Sequence, residues 1–322
     1  MSETQGTSFM PTKRDFLSVT DITPDETLYL LKRAQEIKLA PKDGQGPKPL
    51  ARKTVALLFD KPSLRTKVSF QVGIQELGGY SVFLAKEEVE LGGREPVSDV
   101  AKVLSGYVDC IVARLSDHEL LVELAKYASI PVVNALSDLE HPCQIMADLL
   151  TIYEHKDSLD GLSLAYVGDG NNVARSLCLA LPAMGMNFTS ASPQGYTLDE
   201  ASVQQARARA NGSSVQVRTV ASPAEAVAGA DVVYTDVWSS MGVEESPEEA
   251  MARQSAFDGY AVDPELMQRA NAGALFMHDM PAHYGEEVPR GMLEHPQSVV
   301  FTQAHNRLHA QKTVLEFLLA GN

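Results

Sequence analysis

The sequence predicts an α/β protein of two doubly wound parallel-sheet domains with a cleft between them, and three observations carry that reading. Short apolar runs alternate with helical patterns almost from end to end. The runs are continuously apolar, as strands covered by helices on both faces require. The alternation breaks once, at the charged, turn-prone stretch "EHKDSLDG" (154–161), which is the expected hinge. With 322 residues, 44% of them hydrophobic, the chain can bury two cores.

The elements follow in order. "TVALLF" (54–59) leads to a helix near 65–77, "YSVFL" (80–84) to one near 96–107, and "CIVAR" (110–114) to one near 117–129. "PVVNA" (131–135) then precedes a helix from Pro142, whose Ile145, Met146, Leu149, Leu150 and Ile152 fit a 3.6-residue period. The second series takes its strands from "LSLAYVGD" (162–169), "NFTSAS" (187–192), "SVQVRTV" (214–220), "DVVYTDV" (231–237), "ALFMHD" (274–279) and "SVVFT" (298–302).

Charge and composition exclude several classes of function. A formal charge of −15 and a pI of about 4.9 oppose nucleic acid or an anionic membrane as partner. The opening residues lack an apolar leader, and no run approaches the roughly 20 apolar residues of a membrane span. Cys110, Cys143 and Cys178 are widely separated in apolar contexts, so neither a disulfide framework nor a zinc spacing is visible and a reduced, cytoplasmic protein is expected. Any anionic substrate must be held by local cations.

Ligands of open α/β sheets bind beyond the carboxyl ends of the strands. Four clusters lie there, besides Arg114, which closes "CIVAR". In "FDKPSLRTKVSF" (59–70) a strand runs through a Pro-Ser turn into a helix, whose free N–H groups favour an anion. Ser63, Arg65 and Thr66 add donors that suit a phosphate; by itself the stretch fits equally an N-cap serine followed by solvated charges. "HPCQ" (141–144) places Pro142 at the first helical position and sends His141 and Gln144 to one side, where either can meet a carbonyl or an amide. An isolated histidine is more often a cap or core residue, but a second anion-suited helix start in the same series favours a site.

"DVWSSMG" (236–242) offers Asp236 to an ammonium and Ser240 to a carboxylate, with Gly242 permitting a sharp turn, and "MHDMPAHYGEEV" (277–288) sets His278, Asp279 and Met280 before Pro281. Each alone reads equally as a loop of ordinary turn residues. "GDGNNVA" (168–174) lacks the third glycine of a dinucleotide fingerprint; Asn171 and Asn172 suit a polar substrate, Asn172 the better. His305 and His309 stand four apart without a third ligand, so no metal is expected.

In this order, these elements resemble the aspartate/ornithine carbamoyltransferase family, on its ornithine-binding side, over essentially the whole chain. "SLRT" is similar to the family's Ser-Thr-Arg-Thr, "HPCQ" matches its carbamoyl motif unchanged, and "DVWSSMG" is similar to its Asp-x-x-x-Ser-Met-Gly. "GDGNN", "HDMP" and "HNRLHAQK" resemble its second-domain asparagine, its His-Cys-Leu-Pro loop and its Glu-Asn-Arg segment.

The resemblance implies transfer of the carbamoyl group of carbamoyl phosphate to the side-chain amine of L-ornithine, giving L-citrulline and phosphate, as in arginine metabolism, with no cofactor. It implies that Ser63, Leu64, Arg65, Thr66, Arg114, His141, Gln144, Asp279, Met280 and Arg307 surround carbamoyl phosphate, with Glu90 reaching it from a neighbouring subunit. Asn172, Asp236, Ser240 and Met241 would hold ornithine, and Arg114, His141 and Asp279 would be catalytic. It implies a carbamoyl-phosphate-binding domain of residues 1–153 and 304–322, to which the last helix returns, and an amino-acid-binding domain of 154–303. The assembly implied is a homotrimer, or a multiple of trimers, with active sites between subunits.

Chemistry agrees with that implication. The carbonyl oxygen must be polarised and the leaving phosphate neutralised while a neutral amine attacks, and converging donors can do this without a metal. Arg65 and the helix N-terminus suit the phosphate; Arg114, His141 and Thr66 suit the carbonyl oxygen.

The sequence departs from the family near the chemistry. Leu64 replaces a threonine, Lys67 an arginine, Glu90 a glutamine, Asp279 a cysteine, Met280 a leucine, Tyr284 an arginine and His305 a glutamate. A carboxylate at Glu90 repels phosphate unless paired or protonated. An amine with a pKa near about 10.4 is neutral only about once in a thousand molecules at neutral pH, a cost of roughly 4 kcal/mol. An ionised Asp279 beside it either raises that cost or acts as the base that removes the proton. Two alternatives therefore stand beside the leading reading: transfer to a different amino-acid amine, and a catalytically weak binding or regulatory paralogue.

Overall fold

The computed structural model describes residues 13–40, 46–212, 214–239 and 246–320. The chain begins with α1 (Pro24–Leu39), then β1 (Thr54–Phe59), α2 (Leu64–Glu76), β2 (Tyr80–Ala85), a single turn α3 (Lys86–Val89), α4 (Val97–Ser105), β3 (Cys110–Arg114), α5 (His118–Tyr127), β4 (Val132–Leu136) and α6 (Pro142–Lys156). It continues with β5 (Ser163–Val167), α7 (Asn172–Ala180), β6 (Asn187–Ala191), α8 (Glu200–Ala208), β7 (Val217–Val220), α9 (Pro223–Val227), β8 (Val232–Thr235), α10 (Pro247–Ala256), α11 (Pro264–Met267), β9 (Leu275–His278) and α12 (Val300–Leu319).

The strands form two wholly parallel sheets, ordered β2-β1-β3-β4 and β7-β6-β5-β8-β9. Strand order reverses between β1 and β3 in the first sheet and between β5 and β8 in the second. The crevices where a doubly wound sheet accepts ligands lie at those reversals. Interior strands such as β3 and β8 are buried along their full length, which explains their unbroken apolar runs.

Helix α6 is the central element. Every residue from Pro142 to Ile152 is buried, so the helix is enclosed on all sides and lies in the core that joins the two sheets through α7 and α12. The outer faces of the sheets carry separate apolar layers: Leu58, Ile111 and Leu121 on the first, Ala165, Val233 and Phe276 on the second. Enclosure makes polar members of α6 informative, because a buried polar group must find a partner or incur a large cost.

One expected strand is corrected. "SVVFT" is the start of α12: Ser298 makes an isolated bridge to Phe276, and the helix begins at Val300. Val300, Gln303, Asn306, Arg307, Ala310 and Val314 are buried at helical spacing, and that longer pattern outweighs a short β-branched run. α12 packs against α6, α2 and α1. The strand expected over 214–220 is shorter, starting at Val217. Helix α1 was not anticipated, although Thr23 and Glu26 form a reciprocal capping box around Pro24, a pattern written in the sequence.

Candidate active site

A cleft of about 300 Å³ lies between the two sheets, at the carboxyl ends of β1, β3 and β4 on one side and of β5, β8 and β9 on the other. The first side supplies Lys61, Ser63, Arg65, Thr66, Arg114 and His141. The second supplies Asp169, Asn172, Asp236, Asp279 and Met280, and Arg307 enters from α12.

The first side is a concentration of donors. Ser63 caps α2 by accepting the Thr66 N–H, leaving the remaining helix-start N–H groups directed outward. Arg307 donates to the Thr66 hydroxyl at 2.5 Å, so the return of α12 brings a second guanidinium to the start of α2. Arg65 donates to the Met280 carbonyl at 2.6 Å, linking the sides. The Nε atoms of Arg65, Arg114 and Arg307 are buried without a partner in the protein. Burial and the neighbouring Arg307 push Arg114 down to about 10, and burial also lowers Arg65 and Arg307. These guanidiniums repel one another, and an anion among them relieves that repulsion.

His141 precedes α6 with its backbone N–H on Ser176 and its Nδ1 unpartnered. Burial, followed by Arg307, Arg114 and Arg65, drives its pKa well below the usual histidine value, so it is neutral at pH 7. A neutral imidazole is a hydrogen-bonding group for a carbonyl oxygen and adds no charge to an already cationic pocket.

The second side is acidic and is built around a carboxyl pair. Asp236 accepts from Asn171 at 2.6 Å and from the Val237 N–H at 2.7 Å. Its carboxyl lies against that of Asp279, the two sharing a hydrogen bond. Burial raises both, Asp236 well above the usual carboxylate range, because the neighbouring Asp279 charge adds to desolvation there. At Asp279, the hydrogen bond from Asp236 and the charges of Arg65 and Arg307 act against desolvation. Of the pair, Asp236 is thus the carboxyl more readily protonated and Asp279 the one more readily ionised.

The backbone around Asp279 is held on both sides. Met280 adopts a left-handed φ of 57°, with its N–H on His278 Nδ1 and its carbonyl on Arg65. His278 Nδ1 thus accepts, which puts the proton on Nε2, facing Glu287 at 3.1 Å. Asp236, His278 and Asp279 approach one another closely enough for a metal, but both ring nitrogens of His278 are engaged and none is free to ligate.

The remaining anticipated residues divide. Asn172 reaches across the cleft to the Ser137 carbonyl, whereas Asn171 caps α7 and is tied to Asp236. Gly170 serves packing: a Cβ there would lie 2.5 Å from the Leu198 nitrogen. Leu64 points outward and is 74% exposed, so only its backbone faces the α2 terminus. Lys67 sits over the Phe83 ring rather than in the cleft. Glu90 is exposed on the loop after α3, away from the cleft of its own chain. Gln144 lies buried next to His141 in the α6 start without lining the cleft. Ser240 and Met241 lie outside the described residues.

Two features were not anticipated. Asp169 lines the cleft and faces Arg253 at 3.4 Å, yet burial pushes it up to about 6. Asp148, one turn beyond Gln144, is wholly buried. Its signal in the sequence was a lone acid inside the apolar run of α6.

Clustered arginines set against carboxyls across one cleft between two parallel sheets suit an anionic group on one side and an amine on the other. The chain belongs to the aspartate/ornithine carbamoyltransferase family: residues 14–154 match that family's carbamoyl-P binding domain and residues 160–318 its Asp/Orn binding domain. It is 48% identical to an ornithine carbamoyltransferase of Anoxybacillus flavithermus over 95% of this chain and 96% of that one. It is 49% identical to another from Acidothermus cellulolyticus, with the same coverage. The solved ornithine carbamoyltransferase of Pyrococcus furiosus superposes with a TM-score of 0.92 at 44% identity, over 97% of this chain and 98% of that one.

Proposed function

We infer that this chain transfers the carbamoyl group of carbamoyl phosphate to the side-chain amine of L-ornithine, releasing L-citrulline and phosphate. The observation that carries the reading is the opposition of charge across the cleft, cations for the donor and a carboxyl pair for the amine, in a member of this family. We assign residues 1–153 and 304–322 to the donor side and 154–303 to the amine side.

Arg65, Arg307 and the start of α2 neutralise the phosphate, while Arg114, neutral His141 and Thr66 meet the carbonyl oxygen. Such donors act most strongly where negative charge develops and water is excluded. Asp279 takes one proton from the substrate ammonium. The freed amine attacks the carbonyl carbon, the new C–N bond forms, and the C–O bond to phosphate breaks as the second amine proton passes to the leaving phosphate. Asn172, Asp236, Ser240 and Met241 hold the amino acid. Family membership supports a trimer in which Glu90 enters a neighbour's cleft; light scattering of the purified protein tests it, and a monomeric mass would remove that role for Glu90.

The deciding experiment is a colorimetric ureido assay with carbamoyl phosphate and ornithine, lysine, shorter diamino acids or putrescine from pH 6 to 9.5. Ornithine is expected to give most product. Product with another amine alone would overturn the substrate, and none with any amine would overturn the activity.

A further inference from the structure

The buried carboxyl of Asp148 lies outside the cleft, and no step above uses it. Its Oδ1 accepts Gln144 Nε2 at 2.8 Å and Gln303 Nε2 at 2.7 Å, while Oδ2 accepts the Tyr234 hydroxyl at 3.1 Å. Gln303 also donates to Tyr234 and, through Oε1, accepts the His278 N–H, so three elements fix the carboxyl. Burial raises the Asp148 carboxyl to about 7 against the hydrogen bonds from Gln303, Gln144 and Tyr234. Wherever it is ionised, the Gln144 amide cannot turn over without presenting its oxygen to a carboxylate and exchanging an attraction for a repulsion. Its Oε1 is accordingly fixed as the other end of the amide, and it is a buried acceptor without a partner in the protein.

Gln144 stands one turn from the cleft-lining His141, its N–H on the His141 carbonyl at 3.0 Å. We propose that Asp148 is a positioning residue: by anchoring Gln144 Nε2 it holds Gln144 Oε1 ready to accept an N–H from a carbamoyl NH2 group that seats past that histidine. The inference rests on the carbamoyl-phosphate reading above. It predicts how the site separates carbamoyl phosphate from acyl phosphates of equal shape. Acetyl phosphate keeps the phosphate and carbonyl but carries a methyl where the NH2 stands, so it gains nothing from the oxygen and leaves a buried acceptor unpaired.

The test compares the KM for carbamoyl phosphate with the inhibition constant of acetyl phosphate in wild type, Asp148→Leu, Asp148→Ser and Asp148→Asn. Leucine removes the acceptor, and serine is too short to reach Gln144 while leaving a less apolar hole, so it serves if the leucine variant does not fold. In either, the KM for carbamoyl phosphate is expected to rise about tenfold while acetyl phosphate changes little, the scale of one hydrogen bond with a buried partner. Asparagine retains an acceptor oxygen and is expected to restore most of the discrimination. Parallel weakening of both phosphates, or an unchanged ratio, would assign Asp148 a purely structural role and overturn the proposal. Wild type that neither uses carbamoyl phosphate nor prefers it to acetyl phosphate would instead refute the underlying functional reading.

Discussion

The two walls of the cleft share one construction and opposite chemistry. Each is the carboxyl edge of a parallel sheet at its strand-order reversal, yet one gathers Arg65, Arg114 and Arg307 and the other Asp236, Asp279 and Asp169. Backbone topology thus decides where a ligand binds, while a few side chains decide its charge. The walls also handle their charge differently. Guanidiniums remain cationic even when burial lowers them, so the first wall keeps its repulsion until an anion arrives. Carboxyls can take up a proton, so the second wall relieves its repulsion internally.

Removing a cation that cannot be replaced breaks this opposition most severely. Arg114 closes β3, and its partial desolvation strengthens any bond it makes to a developing oxyanion. Arg114→Ala is expected to lower kcat about a thousandfold, near the upper end for loss of one such donor. Steady-state kinetics with both substrates varied checks this, since a loss confined to KM would make Arg114 a ground-state binder only.

On the acidic wall the change is smaller and depends on pH. Asp279→Asn keeps the shape and removes the base, and kcat at pH 7.5 is expected to fall about a hundredfold, the lower range for general-base catalysis. The loss should shrink as pH approaches the amine's own pKa, where solvent supplies more neutral amine. Asp279→Cys separates the two roles of a charge there: activity falls if Asp279 is the base and rises near neutral pH if it merely retains the ammonium. A flat pH–rate comparison between D279N and wild type would end the base assignment.

Glu90 sharpens the contrast from outside the chain's own cleft. If its loop completes a neighbour's cationic wall, Glu90→Gln exchanges a repulsive carboxylate for a donor. A severalfold decrease in KM for carbamoyl phosphate is expected, the effect of one exposed charge. An unchanged KM in a protein of confirmed trimeric mass would place the loop away from the phosphate.

The walls were unequally legible in the sequence. Arg65, Arg114 and His141 could be found because each stands at or soon after the end of a strand, and local order along the chain sets their positions. The Asp236–Asp279 pair is assembled from two strands 43 positions apart, so sequence showed both acids but not their shared proton. Asp148 was hidden for another reason: a helix enclosed on every side has no polar face against which a buried acid stands out. The start of α12 was misread because Val299 and Val300 are β-branched and five residues are too few to separate periods of 2 and 3.6.

The mildest test concerns a carboxylate on which two forces compete. Asp169 is buried enough to be raised from 3.8 to about 6, yet it faces Arg253, whose charge lowers it. With a folded-state pKa above the unfolded one, the native protein binds more protons between those values. This contribution to stability is complete below about pH 3.8 and is lost as pH rises through about 6. The full loss is on the order of 3 kcal/mol, about 4 °C in Tm for a chain of this size. Asp169→Asn never ionises, so the Tm of the variant relative to wild type should rise between pH 4 and pH 7. If the ion pair with Arg253 outweighed burial, the folded-state pKa would lie below the unfolded one; wild type would then gain its stability, as pH rises, below about pH 3.8, and the relative Tm would stay nearly flat from pH 4 to pH 7. A rise or its absence over that range reports whether the acidic wall relieves its charge by protonation or by pairing.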